Sequence, residues 1–138
     1  MTSDSGDSRS ARRLAGLDVL RTLSGGEPDR AAESLASNYP GLGWEVVDFA
    51  MGEVWANPDL DRRTRSLEVV AMLSALGRTN QLRGHMNGAL NHGATPEELV
   101  QTVRMVAVYS GFPAALDAWT VLEEVFAARG IPRAQASP

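Results

Sequence analysis

Both histidines of the chain lie in one short, glycine-rich segment, residues 77–93. Helical residues three and four positions apart share a face, so His85 lies in line with Leu82, Met86 and Ala89. An imidazole among apolar neighbours has a pKa that its surroundings can tune near neutral pH, as acid–base catalysis requires. The alternative interpretation is a structural histidine in the core, hydrogen-bonded to a carbonyl group.

A carboxylate and a group of arginines are the other candidates for chemistry. Glu53 ends an apolar stripe in residues 42–55 and is either at the rim of a helix or buried with a partner, because burial without one is costly. Arg62, Arg63 and Arg65 crowd the first turn of the next helix, where cations oppose the helix dipole. They require compensation by nearby acids such as Asp59 and Asp61 or by a bound anion; a solvated cluster of ion pairs is the simpler alternative.

Several classes of site are excluded by what the sequence lacks. His85 and His92 are separated by about 10 Å along a helix, too far to be two ligands of one zinc ion. No nucleophile elbow, phosphate loop or dinucleotide fingerprint occurs. The chain has no cysteine, which removes thiol nucleophiles, disulfides and thiolate metal sites. We therefore expect no metal and no cofactor, and an acid–base site.

The length and charge of the chain limit its possible domain organisation and partners. A chain of 138 residues with 43% hydrophobic residues is long enough for one domain with a core, which we assign to residues 11–130. Residues 1–10 are expected to be a disordered tail and residues 131–138 a flexible one. A net charge of −4 argues against nucleic-acid and membrane partners, and no apolar run is long enough to span a bilayer. We expect a cytoplasmic protein.

The elements that position these residues are predicted to be helices. No segment shows strand alternation, so we expect an all-α, compact bundle of six or seven helices. The clearest signal is a capping box, Thr95-Pro96-Glu97-Glu98. The later half of the helix over residues 62–76 is apolar nearly all round, which indicates burial in a core or in a subunit interface. Expected packing positions include Trp44, Val47, Met51 and Val54 on one stripe, Leu99, Val103, Val106 and Ala107 on a second, and Leu116, Trp119, Val121, Leu122 and Val125 on a third.

Motifs spread along the chain resemble the γ-carboxymuconolactone decarboxylase family. The resemblance covers about residues 17–127 and implies an all-α subunit in a ring-shaped homo-oligomer, a trimer or hexamer, that decarboxylates a carboxylated unsaturated lactone without a cofactor. The segments that carry it are Gly52-Glu53-Val54-Trp55, residues 60–67, Ala75-Leu76-Gly77-Arg78, His85, Ala89-Leu90-Asn91, Thr95-Pro96-Glu97-Glu98 and residues 107–115.

The resemblance also assigns roles to individual residues. It implies that His85 is the proton donor or oxyanion partner, with Glu53 and Tyr109 as further catalytic candidates; Tyr109 is equally explained as a core aromatic residue. Arg65, supported by Arg62 or Arg78, is expected to bind substrate carboxylates. Trp55, Gln81 and His92 complete the expected substrate-binding set.

Two positions depart from the family pattern. An acidic residue is common near position 81 and a small polar residue at position 92, where this chain has Gln81 and His92. The related disulfide peroxidases have cysteines at the positions of Arg78 and Gln81, so their redox chemistry is excluded here. The departures leave two alternatives: a homologue acting on a polyketide-like biosynthetic intermediate by decarboxylation, cyclisation or isomerisation, and a non-catalytic ligand-binding oligomer.

Overall fold

All regular structure in the described part of the chain is helical, which confirms the all-α prediction. The computed structural model describes residues 4–26 and 28–132 and groups them into two compact units, one up to Arg62 and one from Arg63 onwards. The elements are α1 (Asp4–Leu23), α2 (Pro28–Asn38), α3 (Gly43–Glu45), a π-helix (Val46–Trp55), α4 (Arg62–Ala75), α5 (Thr79–Asn91), α6 (Pro96–Ser110) and α7 (Phe112–Ala128).

The first unit is built on a close contact between α1 and the π-helix. A Cβ atom placed on Gly16 would overlap the carbonyl oxygen of Val47, and one on Gly52 would overlap the carbonyl oxygen of Arg12. The two backbones touch directly at both points, which only glycine permits.

Helix α1 begins at Asp4, earlier than the start near Ala11 that the sequence predicts. Arg9 extends from this additional helix to Asp48, at 3.6 Å, and Arg13 holds the same carboxylate through two hydrogen bonds of 2.8 and 2.7 Å. Once the later turns of α1 are packed, each further residue adds a hydrogen bond at little cost, so the helix extends into polar sequence. Residues 1–3 of the predicted tail lie outside the described residues.

The π-helix buries a different stripe from the one that α-helical periodicity predicts. Val47, Met51 and Trp55 are buried, whereas Val54, expected on the same stripe, is 44% exposed. The N–H group of Ala56 donates to the carbonyl oxygen of Met51 at 3.0 Å, which is the i→i+5 bonding of a π-helix. The wider turn shifts the buried face. A stripe counted at 3.6 residues per turn therefore no longer coincides with the buried face at the C-terminal end of the segment.

The second unit has its own hydrophobic core, to which α4, α5, α6 and α7 all contribute. Thr95 and Glu98 form the predicted capping box at the start of α6, with distances of 2.9 and 3.1 Å from the backbone nitrogen of each to a side-chain oxygen of the other. Ile131, in the predicted flexible tail, packs against this core, and residues 133–138 of that tail lie outside the described residues. The buried core residues are Val70, Leu82, Met86, Ala89, Ala94, Leu99, Val103, Val106, Ala115, Ala118, Val121, Leu122, Val125 and Phe126.

A row of large apolar side chains remains exposed where α6 ends and α7 begins. Leu116, predicted to pack in the core, is 64% exposed, because the core-facing positions of α7 are Ala115, Ala118 and Leu122. Helix α4 likewise buries only one face: its Met72 is exposed, as is Leu76 just after the end of the helix. Besides Leu116, the exposed row at the junction of α6 and α7 consists of Met105, Val108, Tyr109 and Phe112. None of the helices within residues 4–26 and 28–132 is long and apolar enough to cross a membrane.

Candidate functional site

Helix α5 places His85 against the core of the second unit. Its neighbours on the same face, Leu82, Met86 and Ala89, are almost completely buried, as predicted. The Nδ1 atom of His85 is buried, while the residue as a whole keeps partial exposure. Burial away from water lowers the pKa of His85 below its ordinary value, and the charge of His92 lowers it further. The ring is therefore neutral at neutral pH, when it can donate a hydrogen bond but is a poor acid.

His92 caps the C-terminal end of α5 and is held there by a serine of α4. The Oγ atom of Ser66 lies 2.8 Å from Nδ1 of His92, and Ser66 is completely buried. Ser66 was not among the predicted site residues. Its position one helical turn before the buried Val70 and two before the buried Ser74 is the only sequence signal that would have indicated a core-facing hydroxyl.

The crowded arginines are compensated by acids distant in sequence. Arg62 binds Asp18 at 2.9 Å and the hydroxyl of Thr22 at 3.0 Å, and hydrogen bonds from Arg21 and Arg62 lower the pKa of Asp18. Arg63 pairs with Glu98 at the start of α6. Acids therefore compensate both arginines, but the acids are Asp18 and Glu98 and not the neighbouring Asp59 and Asp61 that the sequence suggested.

The remaining arginines and the glutamine of the predicted set lie in the second unit. Arg65 is partly buried on α4. Arg78 occupies the N-cap position of α5 and is exposed, and Gln81 is exposed in the first turn of that helix. Their substrate-binding roles stay predictions.

Two predicted residues belong to the π-helix of the first unit. Glu53 is exposed and forms an ion pair with Arg12 at 3.2 Å, which corresponds to the rim alternative. Trp55 is 8% exposed and lies on the buried stripe. A catalytic role for Glu53 and a binding role for Trp55 stay predictions.

Tyr109, the weakest catalytic candidate, lies in the last turn of α6 and is 81% exposed. The alternative interpretation as a core aromatic residue is therefore wrong for this chain. Core positions of α6 are taken instead by Leu99, Val103 and Val106.

Each unit has a cleft on its surface. A cleft of about 350 Å³ in the first unit is lined by Arg9, Arg12, Gly41, Trp44, Glu45, Asp48 and Phe49. One of about 270 Å³ in the second is lined by Glu123, Phe126, Ala127 and Ile131. His85 lines neither of these two clefts. Among residues 4–26 and 28–132, no three acidic or histidine side chains are grouped to hold a metal ion.

The model of the carboxymuconolactone decarboxylase family matches residues 40–124, which include α4, α5, α6 and both histidines. The chain belongs to this family. The resemblance inferred from the motifs is thereby confirmed.

Two of the relatives that this chain resembles are named as decarboxylases. A 4-carboxymuconolactone decarboxylase of Acinetobacter baylyi is 46% identical over 87% of this chain and 90% of its own. Nitrosuccinic acid decarboxylase npaB of Metarhizium robertsii is 32% identical over 90% and 89%. Peroxisomal protein 2 of Schizosaccharomyces pombe is 38% identical over 57% of this chain and 37% of its own. This family member is accordingly an enzyme, a decarboxylase of the carboxy-lyase class.

Proposed function

We propose that this chain decarboxylates a carboxylated unsaturated lactone of the 4-carboxymuconolactone type, without a cofactor. The observation that carries the proposal is the 46% identity, along nearly the full length of both chains, to a protein named for that reaction. The half-buried His85, whose pKa is lowered, supplies a group suited to the chemistry.

The reaction breaks the bond between the carboxylate carbon and the lactone ring. The electron pair left behind delocalises as a dienolate onto the lactone carbonyl oxygen, carbon dioxide leaves, and a proton then adds to carbon. A donor directed at that oxygen stabilises the developing charge. A neutral imidazole can donate its N–H group there, so we assign His85 the role of oxyanion partner in preference to that of proton donor.

The other predicted residues keep the roles that the family resemblance implies. Arg65, with Arg78, is proposed to bind the substrate carboxylate, because a guanidinium group offers paired donors. Tyr109 is a candidate for returning the proton, and Gln81 and His92 contact the substrate. For Glu53, Trp55 and Arg62 the support is the family resemblance alone.

A second candidate substrate follows from the similarity to nitrosuccinic acid decarboxylase npaB. In a nitro-substituted dicarboxylic acid the electron pair released by decarboxylation moves onto nitro oxygens, so the same oxyanion donor would serve. The action on a polyketide-like intermediate and the non-catalytic oligomer stay predictions, and product analysis distinguishes them.

We also propose that the protein assembles as a homo-oligomer, a trimer or hexamer. The exposed apolar row at the junction of α6 and α7 supports this, since large exposed apolar patches mark interfaces. Light scattering of the wild type and of a Val108→Lys variant tests it. We expect the variant to have the smaller mass; equal monomeric masses would contradict the proposal. A cytoplasmic location stays a prediction.

The experiment that tests the activity uses purified protein without added metal. We expect loss of 4-carboxymuconolactone absorbance with release of carbon dioxide, and a decrease in kcat of about a hundredfold or more in His85→Ala, the effect of removing one oxyanion donor. Asn80→Ala, an exposed change on the same helix, is the control. No turnover of the lactone but turnover of nitrosuccinic acid would favour the second candidate. Turnover unaffected by His85→Ala would refute the assigned role.

A further inference from the structure

The contact between Ser66 and His92 joins the middle of one helix to the end of another. Ser66 lies within α4, where its exposed fraction is 0%, and His92 is the C-cap of α5. The Oγ and Nδ1 atoms are 2.8 Å apart, a good hydrogen-bonding distance. Because the hydroxyl has no access to solvent, it cannot itself contact a substrate.

The hydrogen bond has two consequences for the imidazole. It restrains rotation of the ring, and it directs the Nδ1 atom of His92 towards Ser66 of α4. A neutral ring has one N–H proton, and a serine hydroxyl can donate to a bare Nδ1 or accept from Nδ1–H. Whichever arrangement forms decides whether Nε2 is a donor or an acceptor. A buried hydroxyl in a low-dielectric environment makes this choice more strongly than water would.

We propose that Ser66 is a positioning residue of the decarboxylase site, which acts through His92 by fixing the orientation and tautomer of its ring for contact with the substrate. The inference rests on the proposed function, in which His92 is a substrate-binding residue. Position 92 is also where this chain departs from the family pattern expected from the sequence. A side chain of another shape at that position would need a partner other than Ser66.

The surroundings of His92 support a site that is held firmly. Arg63, one turn before Ser66, pairs with Glu98, and its side chain lies 4.0 Å from a Cβ position on Gly93. His92 is also close enough to His85 for protonation of His92 to lower the pKa of the His85 ring. The position of His92 therefore affects the group assigned to the oxyanion.

A purely structural tie between α4 and α5 is the competing explanation, and the chain contains a matched control for it. Ser74 lies on the same helix and is also buried, at 1% exposure, but its hydroxyl donates to the carbonyl oxygen of Val70 at 2.7 Å. Ser66→Ala and Ser74→Ala thus each remove one buried hydroxyl from α4. Only the first removes a partner of a histidine.

The first measurement is independent of activity. The chain has two histidines, so long-range proton–nitrogen NMR spectra contain only two imidazole patterns, and His92→Asn assigns them. We expect the ring nitrogens of His92 to report one dominant tautomer in the wild type and in Ser74→Ala, and a mixture in Ser66→Ala. An unchanged His92 pattern in Ser66→Ala would overturn the proposal.

The second measurement is kinetic, with 4-carboxymuconolactone. We expect Ser66→Ala to lower kcat/KM about tenfold, mainly by raising KM, because a contact shared by ground and transition states is lost. Ser66→Thr should retain most of the activity, since it keeps the hydroxyl, and Ser74→Ala should match the wild type. In a His92→Asn background, Ser66→Ala should change kcat/KM by less than about twofold.

The outcomes separate this proposal from the proposed function. If the wild type turns over neither candidate substrate, the proposed function fails, and the NMR result alone decides whether Ser66 fixes the ring. If the wild type is active, equal losses in Ser66→Ala and Ser74→Ala, or an undiminished loss in the His92→Asn background, would overturn the positioning role.

Discussion

Replacement of Gly16 by alanine tests the direct backbone contact between α1 and the π-helix. The added Cβ would overlap the carbonyl oxygen of Val47, and it would also lie 3.0 Å from the carbonyl carbon of that residue and 3.1 Å from the backbone nitrogen of Gly52. All three obstacles are backbone atoms, so no side-chain rotation can relieve the overlap. The two helices must separate by on the order of 1 Å to restore ordinary contact distances.

The expected cost follows from overpacking and from helix propensity. Overpacking of this kind costs about 3 kcal/mol, the upper part of the usual range, because backbone must move. Alanine gains about 1 kcal/mol over glycine within a helix. The net loss in the free energy of unfolding is therefore about 2 kcal/mol, or a decrease in melting temperature of about 7 °C for a chain of this size.

The same helix provides the control. Gly6 also lies in α1, but a Cβ atom added to it would have no heavy atom within 4 Å, so Gly6→Ala should leave the melting temperature unchanged or raise it slightly. Both variants are melted at one protein concentration, because assembly would make the melting temperature depend on concentration. Equal melting temperatures for Gly16→Ala and Gly6→Ala would refute the close contact.

Three further predictions concern the second unit. The pKa of His85 is lowered in the folded state, so below about pH 6.5 the unfolded chain binds a proton that the folded chain does not; stability is therefore lost as pH falls from there through the folded pKa. Urea unfolding at pH 7.5 and 5.5 should show this loss, and His85→Gln should reduce it. Thr95→Ala should cost about 1 kcal/mol in the same assay, whereas Thr95→Ser should cost little, because it keeps the capping hydroxyl. Met86→Ala should cost about 2–5 kcal/mol, since Met86 is fully buried and would leave a cavity; a cost below that of Thr95→Ala would contradict its place in the core.

The parts of the fold that sequence reasoning predicted well are those governed by local rules. The capping box at Thr95 and the core face of Leu82, Met86 and Ala89 follow from short-range spacing, and the structure has both. The exposed Leu116 was misplaced because helical periodicity does not tell which of two adjacent faces meets the core. For Tyr109 the sequence left a catalytic residue and a core aromatic residue as alternatives, and its exposure excludes the second.

The sequence indicated which types of residue belong to the candidate site, but not which of them are in contact. His85 could be singled out because a titratable ring stood among apolar positions of one helix. Its relation to Ser66 and His92 could not, because contacts between helices depend on how α4 and α5 cross, which no local pattern encodes. The acids that compensate Arg62 and Arg63 were likewise contributed by α1 and by α6, far away in sequence.

The π-helix makes the number of residues between α3 and Trp55 part of the geometry of the first unit. If one residue were deleted within Val46–Trp55 and the i→i+5 bonding persisted, every side chain after the deletion would turn about the helix axis by the angle of one residue. Gly52 would then no longer face Arg12, and Glu53 would point in another direction. Loss of one residue here would therefore rotate the part of the π-helix that follows it, whereas loss of one residue in a surface loop would only shorten the loop.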